Sequence, residues 1–448
     1  MIGRRIGALV GLAMVVSSCA PLPPPIPVPT PSRPAPPESP PATAPSQPPA
    51  AAPQAEPWIS IGLAWNLDAV ELDPVGAATI EGPVPGALEA EASLAVSLDH
   101  GQVVATSVGS RQPWRAKLEP KDTLWLAGSD GPPQSPVRLI RWAGKSWRGR
   151  FKLFQNPRGK LTLVTVLPLE TYLLGVVPGE IGALDEALVE AGRAQAIAAR
   201  SYTLFYRGRR AAEGFDLYGT VEDQLYGPVE NERPLATRCV ESTSGRVALF
   251  QGGPIRANYG STCGGITAEV WEAWPADPLP YLVSQRDRGG SGDFCEASRH
   301  HRWREEWTVA EFAADLARFG PTYGVRLPPG GVGEVVDVRV ASRSRSGRVW
   351  LLDVITSRGR VAIPAYSLRQ VLRRPGKPES ILRSNLFKIE VRRDPRTRRA
   401  LAVVASGAGS GHGVGLCQTG ALGMARAGRS GEHILEHYYP GIEIRAQY

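Results

Sequence analysis

Between Trp58 and Gln155 the chain alternates apolar and polar positions in short runs, "WISIGLAW", "ASLAVSL", "QVVATSV" and "RFKLF", separated by Gly, Pro and Asp. Period-two alternation bounded by turn residues predicts β-strands with turns. "KLTLVTV" continues this as a strand to about Val166, and Pro168 marks a turn or the start of a helix. From Leu184 to Tyr206 the period changes to about 3.6. Asp185 is the expected N-cap, and Leu188, Ala191, Gln195, Ala198 and Tyr202 form one stripe. The alanines of this helix leave little bulk, so neighbours can approach closely, and Gln195 would need hydrogen-bond partners in a tight interface. "RVALFQ" and "PIRANYGS" predict a hairpin leading into "TCGGITAEVW", with Gly264-Gly265 bending the backbone. After an amphipathic helix, "VAEFAADLARF", come strands at "EVVDVRVAS", "GRVWLLDVITS", "GRVAIPAYS" and "FKIEVRR". A glycine-rich stretch, "ASGAGSGHGVGLCQTGALGMARAG", runs into a helix at about Gln418 to Ala427, and "HILEHYYPGIEI" closes with a short helix, a turn and a strand. No fixed-period repeat is evident.

The N-terminus changes the address of the protein. "MIGRRIGALVGLAMVVSSCA" places Arg4 and Arg5 before an apolar stretch too short for a permanent membrane anchor, which reads as a signal peptide. Its end resembles a bacterial lipoprotein cleavage box with Cys19 as the lipidated residue; the alternative is an ordinary secretory signal with a chance cysteine. Residues 20–57 are dominated by Pro, Ala and Ser, a composition that favours extended polyproline II and forms no core. Such a tether reaches on the order of 100 Å when extended. The expected location is extracytoplasmic, at the periplasm or cell envelope, attached to the membrane through the N-terminal lipid. The formal net charge of +8 calls for an acidic partner. The basic clusters "RGRR" at Arg207 and "RRDPRTRR" at Arg392 lack the fold signals of a nucleic-acid reader, so an anionic wall polymer or membrane surface fits better.

Apart from Cys19 the cysteines are Cys239, Cys263, Cys295 and Cys417. An even number in an oxidising compartment permits disulfides, and Cys263 with Cys295 is the preferred pair because both flank one loop-rich region. The competing arrangement is a zinc site from Cys263, Cys295 and His300 or His301, although close ligand pairs are missing. The expectation is no metal and no cofactor.

Two glutamates bracket the apolar run after Leu167. Breaking a glycosidic bond requires protonating the leaving oxygen, hence a carboxylic acid kept protonated near neutral pH by an apolar setting. Glu180 follows "LLGVVPG", with Pro178 and Gly179 placing it on a turn at the mouth of a helix. The alternative for Glu180 is a surface glutamate, and Glu170 is read as the cap of the short helix "ETYLLGVV". His412 lies between glycines, which suits either a ligand site or a buried histidine. Cys417 nearby raises a cysteine nucleophile, which export and disulfide chemistry disfavour. There is no phosphate loop, no Gly-x-Ser-x-Gly elbow and no H-E-x-x-H site; Glu432, His433, Glu436 and His437 read as a solvated helix face.

The motifs "LPLETYLLGVVPGEI", "AQAIAARSYT", "QLYG", "YGSTCGGITAEVW", "GRVWLLDV", "LRSNLFKIEV" and "GHGVGLCQTGALGMARAG" followed by "ILEHYYPG" resemble, in order, those of the SpoIID/LytB family, over about Trp147 to Gly441. The resemblance implies an α+β fold, mainly antiparallel β with a few helices. Its divisions are a lipoprotein-type signal (1–19), the tether (20–57), a β-rich N-terminal region (58–155), the first part of a SpoIID-like core (156–310), a β-rich insertion (311–400) and the rest of the core with the Gly-His-Gly motif (401–448). It also implies action on peptidoglycan. SpoIID-like members are lytic transglycosylases that cut peptide-stripped glycan strands, whereas LytB-like members enhance a cell-wall amidase. The family's catalytic acid falls on Glu180. One carboxyl suffices there, because the sugar's own C6 hydroxyl is the nucleophile. By the same analogy Arg200, Gln224, Tyr226, Ser261, Thr262, His412 and Gln418 line the glycan groove, with Arg369 and Arg383 as further partners for the lactyl carboxylates. The chain departs from the family at Gly260 and Ile266, where certain members carry metal ligands. Sporulation does not follow from the resemblance, since the signal and tether look like those of an envelope protein.

Overall fold

The computed structural model describes residues 55–128, 139–290 and 292–448; the expected signal, Cys19 and nearly all of the tether lie outside these residues. The fold is α+β and mainly antiparallel. Two sheets make up the first part. One runs in the order Leu217–Tyr218, Trp58–Leu67, Leu161–Pro168, Arg150–Gln155, Thr123–Gly128, Ala78–Glu81 and Gly86–Leu88. The other runs Lys145–Arg148, Leu139–Trp142, Ala69–Pro74, Ser93–Asp99, Gln102–Val108 and Arg115–Leu118. Alternation aims Leu72, Leu94 and Val96 of one sheet and Ile80, Leu126, Phe151 and Leu153 of the other into a shared core.

Strand Leu161–Pro168 carries the chain out of this layer into helix α1 (Leu169–Ile181), followed by α2 (Val189–Tyr206) and α3 (Pro234–Glu241). Asp185 does not cap α2. It precedes a 3₁₀ turn at Glu186–Leu188 and makes no side-chain cap bond, so the helix starts later than the periodicity suggests. All five residues of the predicted stripe are buried, as are Ala194, Ala196, Ile197, Ala199, Arg200, Ser201 and Thr203. The helix is enclosed on nearly all sides, with α1, α3, α6 (Gln418–Arg426), α7 (Gly431–Tyr438) and strand Arg246–Phe250 packed around it. Small side chains make that possible: a methyl group on Gly192 would lie 2.6 Å from the Cys239 sulfur.

A charge pair sits in this core. Arg200 is fully buried and donates from Nε and Nη2 to the two oxygens of Glu170, at 2.7 and 2.6 Å, and from Nη1 to the Arg246 carbonyl at 3.0 Å. Glu170 also accepts from the Gly245 N–H at 3.1 Å and the Tyr448 hydroxyl at 2.6 Å. Glu170 therefore does not cap α1; the Glu56 carboxylate does, accepting the Glu170 N–H at 2.7 Å.

The predicted hairpin after Arg246 is short: Arg246–Phe250 pairs with Gly253–Pro254 only, and its other edge takes the last strand, Glu443–Ala446. Tyr259–Gly260 instead runs parallel to Leu416–Cys417. Between them, strand Arg302–Thr308 leads into α4 (Val309–Phe319), which Thr308 caps through the Glu311 N–H at 3.1 Å, then through three antiparallel strands to α5 (Ala365–Val371). This segment has its own core of Trp307, Phe312, Leu352, Ile363, Leu368 and Val403. Because Trp303, Val403 and Ala405 belong to that core, it extends a few residues beyond 311–400 on both sides. Its first and last strands pair with each other, Arg302 opposite Ala408.

Removing one member of a buried ion pair leaves the other uncompensated, at a cost of about 3–5 kcal/mol. Arg200→Ala should lower unfolding stability by about that much in urea titrations, and Glu170→Gln, which leaves the fully buried Arg200 guanidinium without its counter-charge, should also be strongly destabilising.

Candidate functional site

Glu180 lies in the last turn of α1 and not on a turn before a helix, since the helix continues through Pro178 and Gly179 to Ile181. Pro178 removes one N–H from the helix ladder. Gly179 lets the Leu225 carbonyl approach, where an added methyl would lie at 3.2 Å, and Gly182, at φ +81°, ends the helix. The Leu225 N–H donates to Glu180 Oε1 at 2.8 Å.

Half-buried Glu180 has neutral neighbours. Gln418 Nε2 lies 3.4 Å from its Oε2 and also 3.4 Å from Gln195 Oε1. The Tyr259 hydroxyl reaches the carboxyl and accepts from Gln224 Nε2 at 3.0 Å. Gln224 is fully buried and is held in turn by the Thr203 hydroxyl at 2.6 Å, the Tyr172 hydroxyl at 3.3 Å and the Ala199 carbonyl at 3.2 Å. Burial pushes the Glu180 carboxyl above its ordinary 4.5, and the hydrogen bonds from Leu225, Gln418 and Tyr259 only partly oppose it. Such a group can hold a proton and then release it.

The glycine-rich loop is zipped along 259–268. Thr262 and Ser410 exchange backbone bonds at 3.1 and 2.8 Å, and the Ala268 N–H donates to the Gly413 carbonyl at 2.8 Å. A methyl on Gly415, at φ +70°, would sit 2.0 Å from the Asn258 carbonyl oxygen. These glycines thus serve the approach of one backbone to another. His412 accepts the Val414 N–H on Nδ1 at 3.0 Å, bonds the Tyr259 backbone, and lies against Trp274 with ring centroids 4.7 Å apart. Burial and the nearby Arg369, Arg348 and Arg256 guanidiniums push its pKa down to about 3, so it is a neutral brace with its ring nitrogens occupied.

Of the residues singled out from sequence, Gln418 touches Glu180, and Gln224 stands one layer behind Tyr259. Ser261 is exposed, with its carbonyl taken by the Thr419 N–H and hydroxyl. Thr262 is buried, its hydroxyl bonded to those of Ser298 and Thr419 at 2.8 and 3.0 Å. Arg200 and Tyr226 are corrected out of a groove: Arg200 is consumed by Glu170, and Tyr226 is buried against Tyr172 and Trp147. Arg383 is held by Glu305 and His300. His301 bonds Asp293 at 2.8 Å, so neither histidine joins Cys263 and Cys295. Those two sulfurs stand 3.7 Å apart and are not joined as a disulfide. His437 is half-buried beside Asp287, not on a solvated face. Tyr259, Leu225, Trp274 and Arg256 were missed as site residues; the position of Tyr259 at the head of "YGSTCGG" was the available signal.

Fold and site together define an α+β protein whose enclosed helical core presents one half-buried glutamate among neutral hydrogen-bond donors. Residues 157–250 match the SpoIID family, Stage II sporulation protein, and the chain is similar to that family there. Residues 290–415 match a second family, a domain of unknown function, DUF8618. Stage II sporulation protein D of Bacillus subtilis is 27% identical over 298 residues, 62% of this chain and 74% of that protein. An uncharacterized protein of Brachyspira hyodysenteriae is 26% identical over 285 residues, 63% of this chain and 68% of that one. The amidase enhancer of Bacillus subtilis is 26% identical over 314 residues, which are 61% of this chain but only 40% of the enhancer.

A carboxyl whose folded pKa is raised binds more protons in the native state, so its contribution to stability is present below 4.5 and is lost as pH rises through the folded value. Glu180→Gln should therefore match the wild type in thermal melts near pH 4 and melt progressively higher than it toward pH 8.

Proposed function

We propose that this protein is a lytic transglycosylase acting on peptidoglycan glycan strands, with Glu180 as both acid and base. The observation that carries the reading is a carboxyl raised by burial, bonded to Leu225, Gln418 and Tyr259, with no second carboxylate among its described hydrogen-bond partners. Protonated Glu180 donates to the bridging oxygen as the C1–O bond breaks. The carboxylate then accepts the proton of the muramic C6 hydroxyl as that oxygen bonds C1 and closes a 1,6-anhydro ring, so no water is consumed and one carboxyl serves both steps. Tyr259 and Gln418 orient the carboxyl, and Arg256 and Arg369 around Trp274 and His412 supply positive charge suited to a strand bearing lactyl carboxylates. Ser261 lies exposed on the same zipped segment and would border the strand, with Thr262 buried behind it. We place the protein outside the cytoplasm, tethered at the envelope through Cys19; among the described residues no helix is long and apolar enough to cross a membrane.

A second reading has one observation in its favour, the similarity to a protein named amidase enhancer. In it the same surface binds glycan and assists a cell-wall amidase without chemistry at Glu180.

Incubation with peptide-free glycan strands separates the two. The enzyme should release anhydro-muramic products detected by mass spectrometry, and Glu180→Gln should lower the rate by a factor of about 10² or more. The rate should fall as pH rises through the raised pKa of Glu180. Glycan binding without product, unchanged in Glu180→Gln, would favour the enhancer.

A further inference from the structure

Three cysteines and an aspartate that the reaction does not use meet at one point. Cys263 comes from the bent "TCGG" loop, Asp287 and Cys295 from the loop before Arg302, and Cys417 from the residue ahead of α6. Their ligand atoms all lie within 4.8 Å of one another, and the four residues are 0–2% exposed. Cys263 Sγ is 3.7 Å from Cys295 Sγ and 3.0 Å from Asp287 Oδ2.

We propose that Cys263, Cys295, Cys417 and Asp287 bind one zinc ion in a closed, structural site. Zinc–sulfur bonds of about 2.3 Å in a tetrahedron place neighbouring sulfurs about 3.7 Å apart, the separation seen between Cys263 and Cys295. Three thiolates with one carboxylate suit zinc among the common divalent ions, and four protein ligands leave no open position for a reacting water.

The surroundings are those of a ligand set. Cys417 Sγ accepts N–H bonds from Cys263 at 3.2 Å and Gly420 at 3.3 Å, which favours a thiolate. The Tyr438 hydroxyl donates to Asp287 Oδ1 at 2.7 Å and leaves Oδ2 facing the sulfurs, the outer-layer bond that orients a ligating carboxylate. Among the described residues Asp287 has no arginine or lysine ion pair, and a buried carboxylate without a cation is costly. A Cys263–Cys295 disulfide would use two of the three sulfurs and leave that carboxylate uncompensated.

The site joins three chain segments behind the glutamate. Cys263 follows Tyr259 by four residues, and Cys417 directly precedes Gln418, so the ion would fix both groups that contact Glu180. The assignment is independent of what Glu180 does.

The test uses the full chain purified without chelators. Elemental analysis should find one zinc per chain, and cobalt exchange should give thiolate-to-cobalt charge-transfer bands with the strong visible bands of tetrahedral cobalt. Cys417→Ser and Asp287→Asn should weaken binding. Because either may misfold, Tyr438→Phe is the softer variant: it keeps the ring, removes the bond to Asp287 and should lower zinc affinity about 10- to 100-fold. Metal-free protein, whether its thiols are free or peptide mapping joins Cys263 to Cys295, overturns the assignment, as does full zinc affinity in a folded Cys417→Ser variant.

Discussion

The site depends on backbone pairing between two segments about 150 residues apart. The 259–268 segment holds Tyr259 and the 410–418 segment holds Gln418; only their ladder, through Gly260 with Cys417, Thr262 with Ser410 and Ala268 with Val414, brings both side chains to the end of α1. Backbone hydrogen bonds tolerate no bulk at such close approach, which is why this region is dense in glycine. The enclosed α2 helix supplies the floor, with Gln195 against Gln418 and Thr203 under Gln224.

Charge is distributed in a way that keeps Glu180 apart. Glu170 is satisfied by Arg200, a backbone N–H and Tyr448 at the other end of the same helix. Glu180 meets neutral donors only, so burial sets its affinity for a proton. Two glutamates ten residues apart thus sit in opposite settings, one paired with a buried arginine and the other among neutral groups.

Elements with strong local patterns were readable in the sequence: the period-two strands from Trp58 onward, the amphipathic helix α4, and the helix at Gln418. Glu180 and Gln418, both named from the ordered motifs, lie 3.4 Å apart. What failed was decided by tertiary partners. Asp185 had capping chemistry, but the chain makes a 3₁₀ turn first. Glu170 looked like a cap because Arg200, thirty residues on, cannot be paired with it by periodicity, and Tyr226 looked like a groove residue because a tyrosine in a motif does not reveal which way it packs. Likewise Cys263 and Cys295 could be set side by side from their shared loop, whereas Cys417 and Asp287 join them only once the chain folds back.

The strands that open and close the 302–408 segment leave the core side by side, Arg302 against Ala408. A module attached at two adjacent points can change length at its far edge without altering the path of the chain beneath. Its inner edge is not so free. The hairpin that carries Arg348 reaches back to bond the carbonyls of Cys263, Ile266 and Thr267, and α5 brings Arg369 toward His412. Added length at the outer edge would leave the 263–267 loop and His412 in place, whereas a change at the inner edge would remove the bonds that hold them.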